Sequence, residues 1–248
     1  MTERPTDWGS HWRAEPLDPA AVLAEERTPR WRGIERLVRE RFGGFDGLRA
    51  IELGAGRGLI GLLFARAGAS VTLLDRLDLP LAQARELLRR LGLDADTVEG
   101  DVFDLPAEVR GAFDLSMSFG LCEHFLGERR ARVVAAHLEP LRPGGLALIG
   151  VPNRRAPVYR LWKGLMERRG TWTLGTEEPF GAAELASLAR AARGEPLAPI
   201  YGSFAASVVN HGVNQALFKL GRGGLRLPQV RTPILDRFAY ELVLPVAT

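Results

Sequence analysis

Between residues 48 and 152 short apolar runs alternate with stretches of helical period, and this rhythm constrains the chain more than any single motif. LRAIEL (48–53), SVTLLD (70–75), DTVEGD (96–101), FDLSMSFG (113–120) and GGLALIGVP (144–152) each read as a strand bounded by turn residues. Helix-period stretches fall at 59–68, 80–92 and 128–138. Strands joined through helices imply crossovers, and crossovers cover both faces of a parallel sheet. The reading is therefore α/β: a doubly wound, mostly parallel, seven-stranded sheet with helices on both faces. PIYGSF (199–204) and RFAYELVLPV (237–246) supply the last two strands, with a helix over 206–220 and a glycine-rich loop between them.

Upstream, 17–27 reads as an acidic helical stretch. Thr28-Pro29 then reads as an N-cap and first-turn proline for a helix carrying Trp31, Ile34, Leu37, Val38 and Phe42, stopped by Gly43-Gly44. The organisation expected is a helical cover over 1–47, a cofactor-binding core over 48–152, a basic lid-like insertion over 153–180, and a part over 181–248 that completes the same sheet.

A chain of 248 residues, 46% hydrophobic and 25% charged, can bury the core this requires. No apolar run approaches the ~20 residues of a membrane span, and the first residues lack an apolar signal core. A cytoplasmic protein is expected. Cys122 is the single cysteine, which excludes an intrachain disulfide and a cysteine-based metal cluster. The pI of 9.5 rests on a formal net charge of only +3, too small to assign a nucleic-acid partner.

The turn after the first strand holds two overlapping patterns. Gly56, Gly58 and Gly61 spell G-x-G-x-x-G, the dinucleotide fingerprint; Glu52, Gly54, Gly56 and Gly58 spell E-x-G-x-G-x-G. Both let the backbone turn tightly and aim a helix N-terminus at a ligand. In the dinucleotide fingerprint the first glycine directly follows the strand. Here that glycine is Gly54, whose register lacks the third glycine. Glu52 also repels a pyrophosphate but suits a cationic ligand.

In these residues the chain resembles the class I S-adenosylmethionine-dependent methyltransferases, over roughly residues 28–152. Residues 52–58 look like the first motif of that family, which implies that Glu52, Gly54, Ala55, Gly56 and Gly58 line the cofactor's methionine part. The resemblance implies that Asp75, with Arg76 beside it, holds the ribose hydroxyls. Asp101 matches the acid at the adenine amino group, Val102 lies beside the ring, and Phe119 lines the other side. Leu141 to Gly145, LRPGG, look like the turn before the fifth strand. The implied cofactor is S-adenosyl-L-methionine, with S-adenosyl-L-homocysteine as product.

Methyl transfer is an in-line displacement that aligns a nucleophile and in some cases removes its proton. It requires no metal, and the four histidines (His11, His124, His137, His211) show no ligand spacing. His124 follows the fourth strand and is the best candidate for a base, with Glu123 as a neighbour it orients. His137 reads as surface, in an outer helix. Asn153, after the fifth strand, is placed to touch the acceptor with His124. Cys122 reads as a small buried residue, and Gly61 as an aid to helix packing.

Residues 153–175 carry Arg154, Arg155, Arg160, Lys163, Arg168 and Arg169 against Glu167 alone, and Val158, Leu161, Trp162, Leu165 and Met166 share one helical face. A lid, a membrane-surface contact, a grip on an anionic acceptor, and a helix packed on the core all fit that pattern. The partner expected is a small or lipid-like acceptor, in a monomer or homodimer, with DNA not expected. The rival readings are an RNA or protein methyltransferase, an NAD-dependent oxidoreductase and a non-catalytic cofactor-binding protein.

Overall fold

The computed structural model describes residues 6–14, 19–214 and 231–248. Three helices come first: α1 (Trp8–Ala14), α2 (Pro19–Glu25) and α3 (Pro29–Phe42). Thr28 opens α3 as its sequence requires. Its hydroxyl accepts the Trp31 N–H at 3.1 Å, Pro29 fills the first turn, and Gly43, at φ 81°, closes the helix on the Arg39 carbonyl. The alternating core follows as β1 (Arg49–Leu53), α4 (Leu59–Ala67), β2 (Ser70–Asp75), α5 (Asp78–Leu91), β3 (Asp96–Glu99), β4 (Phe113–Phe119), α6 (Gly127–Ala136) and β5 (Leu141–Pro152). After it come α7 (Pro157–Arg168), α8 (Ala182–Ala191), β6 (Glu195–Pro196), β7 (Ile200–Tyr201), α9 (Phe204–Val208), α10 (Pro233–Asp236) and β8 (Glu241–Ala247).

The strands lie in the order β3-β2-β1-β4-β5-β8-β6. The first five are parallel; β8 runs antiparallel to β5 from Leu146↔Ala247 to Pro152↔Glu241. Among the described residues the sheet has eight strands rather than seven. The strand expected over 199–204 is only β7, and the unexpected β6 lies on the same side of β8, with Pro196 opposite Val246 and Ile200 opposite Val243. Pro196 and Pro199 lack the N–H a continuous ladder needs, which splits the edge. The strands β1, β2, β4 and β5 place their carboxyl ends along one rim, where open α/β sheets bind ligands.

Successive strand residues face opposite ways. Leu73 joins Ile34, Val38 and Phe64 in the core beneath α3 and α4, while Leu74 joins Ile51, Leu53, Val133 and Leu185 beneath α6 and α8. His137 is fully buried, not surface. Its Nδ1 meets the Val133 carbonyl at 2.7 Å, its Nε2 meets Ser118 Oγ at 2.8 Å, and burial pushes its pKa down to about 4. The buried hydroxyl of Ser118 on β4 offers a polar partner inside the core, so the histidine turns inward.

The helix expected in the basic insertion is α7, but its apolar face is rotated. Tyr159 is buried against Tyr240 and His211, with ring centroids at 4.6 and 5.5 Å, whereas Leu161 is 76% exposed. Tyr159 and Trp162 pack inward, and Trp162 in turn packs on Trp172 at 5.5 Å. Of the helix expected over 206–220, the described part is α9 and a π-turn over Val209–Val213; the remainder and the glycine-rich loop lie outside the described residues. No described helix is long and apolar enough to cross a membrane.

Candidate cofactor and acceptor site

The turn from β1 into α4 decides between the two glycine patterns. Gly54, Gly56 and Gly58 sit at φ +59°, +53° and +62°, the left-handed region where a Cβ is strained. Gly61 does not; it lies inside α4, where its N–H donates to Glu52 Oε2 at 2.8 Å. A Cβ on Gly61 would stand 2.6 Å from Leu73 and 2.8 Å from that carboxyl oxygen, so Gly61 serves close packing. The loop spends its own donors: Ala55 N–H on the Leu74 carbonyl, Gly56 N–H on Asp75 Oδ2 at 2.8 Å, and Gly58 N–H on the Ala55 carbonyl. Three amides that a pyrophosphate cradle needs are thus already engaged.

Two cavities open on the carboxyl rim of the sheet. The first, about 340 Å³, is lined by Trp8, Trp12, Gly54, Asp75, Arg76, Asp101, Val102 and His124, among others. Asp75 ends β2 and is held at both oxygens, by Gly56 N–H and by Leu77 N–H at 3.0 Å; burial pushes its pKa up against those bonds. Asp101 is exposed and accepts the Phe103 N–H at 2.9 Å, turning the chain so that Val102 is buried in the cavity wall. Arg76 is exposed at the same mouth.

The second cavity, about 320 Å³, meets the first at Gly120 and Trp12, which line both. Its walls include Arg30, Glu52, Ala55, Gly58, Phe119, Glu123, Pro152 and Tyr240. Glu52 is 3% exposed, and burial raises its pKa to about 8. Arg30 bridges Glu25 at 2.7 Å and Glu241 at 3.0 Å, with its guanidinium 5.5 Å from the Phe119 ring centroid.

The sequence-predicted residues thus separate into groups. Asp75, Arg76, Asp101, Val102 and His124 line the first cavity, Glu52, Ala55, Gly58 and Phe119 the second. His124 is fixed by Nδ1 against the Thr176 carbonyl at 2.7 Å, and its ring meets Trp8 edge-on at 4.8 Å; burial lowers its pKa. Asn153 lines neither cavity, correcting its expected place at the acceptor. Its Nδ2 donates to the Arg237 and Ala239 carbonyls and its Oδ1 accepts the Arg155 N–H, so it ties the end of β5 to the chain entering β8. Cys122 is fully buried and its thiol pushed up, which removes it as a nucleophile. No group of His, Cys, Asp and Glu suited to a metal ion occurs among the described residues.

Two features of the site were missed in sequence. One is how the expected N-terminal cover is anchored: Trp12 lies across the glycine turn, where a Cβ on Gly56 would approach it to 2.5 Å, and Arg57 donates to its carbonyl at 2.9 Å. The other is Glu123, which sequence shows only as a neighbour of His124. The signal that marks it, a carboxyl oxygen buried without a partner, exists only in three dimensions.

Residues 50–145 match the family described as Methyltransferase domain. A ubiquinone biosynthesis O-methyltransferase from Cronobacter sakazakii is 34% identical over 119 residues, 48% of this chain and 48% of that protein. The chain spans about half the length of the curated relatives it matches. The solved 1,6-didemethyltoxoflavin-N1-methyltransferase of Burkholderia thailandensis aligns over 98% of this chain and 85% of its own, with a TM-score of 0.58 at 19% identity. The magnesium protoporphyrin IX methyltransferase of Synechocystis aligns over 100% and 89%, at 0.59 and 14%. Identities this low speak for the fold alone, and that fold is the one the sheet order describes. Over residues 50–145 the chain is thus similar to methyltransferase domains, and those residues are set in a Rossmann-like sheet.

Proposed function

We propose that this protein transfers a methyl group from S-adenosyl-L-methionine to a nucleophile on a small or lipid-like acceptor, in the cytoplasm. One observation carries the reading: two ligand-sized cavities meet at Gly120, one edged by Asp75 and Asp101 and the other walled by the glycine turn, Phe119 and Tyr240. The donor set fits this cofactor. It is carboxylate-rich, and the turn's amides are engaged by the protein, which suits a ligand bearing two cationic centres and no phosphate.

In this reading Asp75 and Arg76 hold the ribose, Asp101 and Val102 hold the adenine, and the turn at Gly54, Gly56 and Gly58 passes the methionine end. When bound, the cofactor supplies an electrophilic methyl group on sulfur. Trp8 and Trp12 cover the first cavity and exclude water from it, while Phe119 lines the second. His124 lines the first cavity, its tautomer set by Nδ1–H donating to the Thr176 carbonyl. The relatives named as O-methyltransferases support an oxygen nucleophile.

Calorimetric titration with S-adenosylhomocysteine and, separately, NAD tests the reading. Binding of S-adenosylhomocysteine alone, weakened at least ~10-fold in Asp75→Ala, is expected, since one charge-assisted contact is worth about 1.5–3 kcal/mol. Binding of NAD, or of neither ligand, overturns it.

A further inference from the structure

Glu123 sits in the 3₁₀ turn Cys122–His124 that β4 enters on leaving the sheet, and it is 2% exposed. Its Oε2 has no hydrogen-bond partner, although the side chain walls the second cavity. Leaving a buried carboxyl oxygen unpaired costs about 1–3 kcal/mol or more, so such an atom calls for a ligand. The other buried acids of the site are committed: Glu52 accepts from Gly61, Asp75 from Gly56 and Leu77, and Glu241 binds Arg30.

Position points to the acceptor rather than the cofactor. The two cavities share Gly120, and Glu123 lies three residues beyond it, on the side walled by Val151, Pro152, Tyr240 and Leu242. Those residues, with Phe119, give the cavity an apolar and aromatic part that suits a flat ring, while Glu25, Arg30, Glu52, Arg57 and Glu241 make the rest of its lining polar. We propose that Glu123 is the acceptor-side catalytic carboxyl: its buried carboxyl group, on a side chain that walls the second cavity, receives the hydrogen bond, and then the proton, of a hydroxyl on an aromatic acceptor. The inference rests on the methyltransferase reading above. The acceptor oxygen forms its new bond to the methyl carbon as the carbon–sulfur bond breaks, its electron pair passing to sulfur. The O–H proton passes to Glu123, so no oxidant or further reactant is needed.

The chemistry of the surroundings agrees. Burial, with Glu177 nearby, raises the Glu123 pKa to about 8, against a smaller pull from Arg130; Tyr159 and Tyr240 also face it. A base titrating near neutrality is the efficient kind, and a sulfonium charge in the adjoining cavity draws the value down toward working pH.

The test uses 4-nitrocatechol, whose absorbance reports binding and ionisation, with the intact protein and two variants. Glu123→Gln keeps an acceptor oxygen but cannot take a proton; Glu123→Leu keeps neither. Expected are unchanged S-adenosylhomocysteine affinity in both, and 4-nitrocatechol binding held within ~3-fold in Gln but weakened at least ~10-fold in Leu. Turnover in Gln should fall ~10²–10⁴-fold, with loss of the rising limb of the kcat/KM pH profile. Wild-type turnover and profile in Gln overturn the proposal, as does a ~10-fold loss of S-adenosylhomocysteine affinity there, which makes Glu123 a cofactor ligand. Absence of saturable 4-nitrocatechol binding to the wild-type complex overturns the aromatic hydroxyl. Wild-type protein that fails to bind S-adenosylhomocysteine refutes the methyltransferase reading instead.

Discussion

Gly58 and Gly92 adopt nearly the same backbone, φ +62° and +66°, yet their surroundings differ. A Cβ at Gly58 would lie 2.6 Å from Leu73, whereas at Gly92 nothing stands within 4 Å. Gly92→Ala is therefore expected to cost only the left-handed strain, about 1–2 kcal/mol. Gly58→Ala adds overpacking against a buried leucine and is expected to cost a further ~1–3 kcal/mol. Urea denaturation of the two variants checks the difference; equal losses would show that Leu73 gives way. At this scale the sequence was legible where chemistry depends on chain neighbours. The E-x-G-x-G-x-G spacing named the three strained glycines, and Gly61 fell out of the pattern because it sits in a regular helix. It was illegible for Asn153 and His137. The carbonyl partners of the Asn153 amide lie in the chain before β8 and the Ser118 partner of the His137 imidazole lies on β4, and no local spacing reveals them.

Among elements, α1 is the most exposed to loss. A helix of seven residues has too few internal bonds to persist alone, so docking must hold it. Arg57 supplies much of that docking: it donates to the Trp12 carbonyl and to Gln83, with its guanidinium 5.4 Å from the Trp12 ring. Arg57→Ala is expected to release α1, shift tryptophan emission to the red and weaken S-adenosylhomocysteine binding about 10-fold. Unchanged emission and affinity would show that α1 holds its place by ring contacts alone. Trp12 is legible in the sequence as an apolar residue of the expected N-terminal cover, but its partner Arg57, 45 residues on, is not. The α7 face was misjudged for a similar reason. Leu161 and Leu165 satisfy the helical period, but the surface available to the helix is an aromatic cluster that selects Tyr159 and Trp162. The parallel core was readable because each of its strands carries its own apolar run; the split edge at β6 and β7 was not, because two-residue strands leave no period.

For the whole molecule, buried carboxyls govern how stability follows pH. Glu52 and Glu123 hold their protons to about 8 in the fold, whereas an unfolded chain releases them near 4.5. The folded state therefore binds more protons across that interval, and stability is lost as pH rises through about 8. His137 acts oppositely: with its folded value near 4 against 6.5 unfolded, its stabilising effect is lost as pH falls through that range. Above pH 6.5 only the carboxyl trend remains of these three. Raising pH from 6.5 to 8.5 is expected to lower unfolding free energy by about 1–2 kcal/mol for each carboxyl, and Glu52→Gln should remove one share. Urea midpoints measured in parallel at both pH values check this. A midpoint independent of pH would mean that both groups ionise freely in the fold.

The placing of β8 has a consequence for how the protein comes into being. β5 gains its second neighbour only after residues 153–240 have been made, because β8 folds back antiparallel to lie beside it. On a ribosome, the parallel half and the part of the first cavity formed by β2 and β3 can assemble while the rest is still being translated. Until β8 arrives, the ladder of β5 along Leu146–Pro152 is a bare, apolar edge, the kind that recruits chaperones or pairs wrongly with another chain. Tyr240, Glu241 and Leu242, the far wall of the second cavity, arrive with the strand that covers this edge. Synthesis thus builds one cavity wall early and delays the other, so the nascent chain completes its second cavity only when its sheet is sealed.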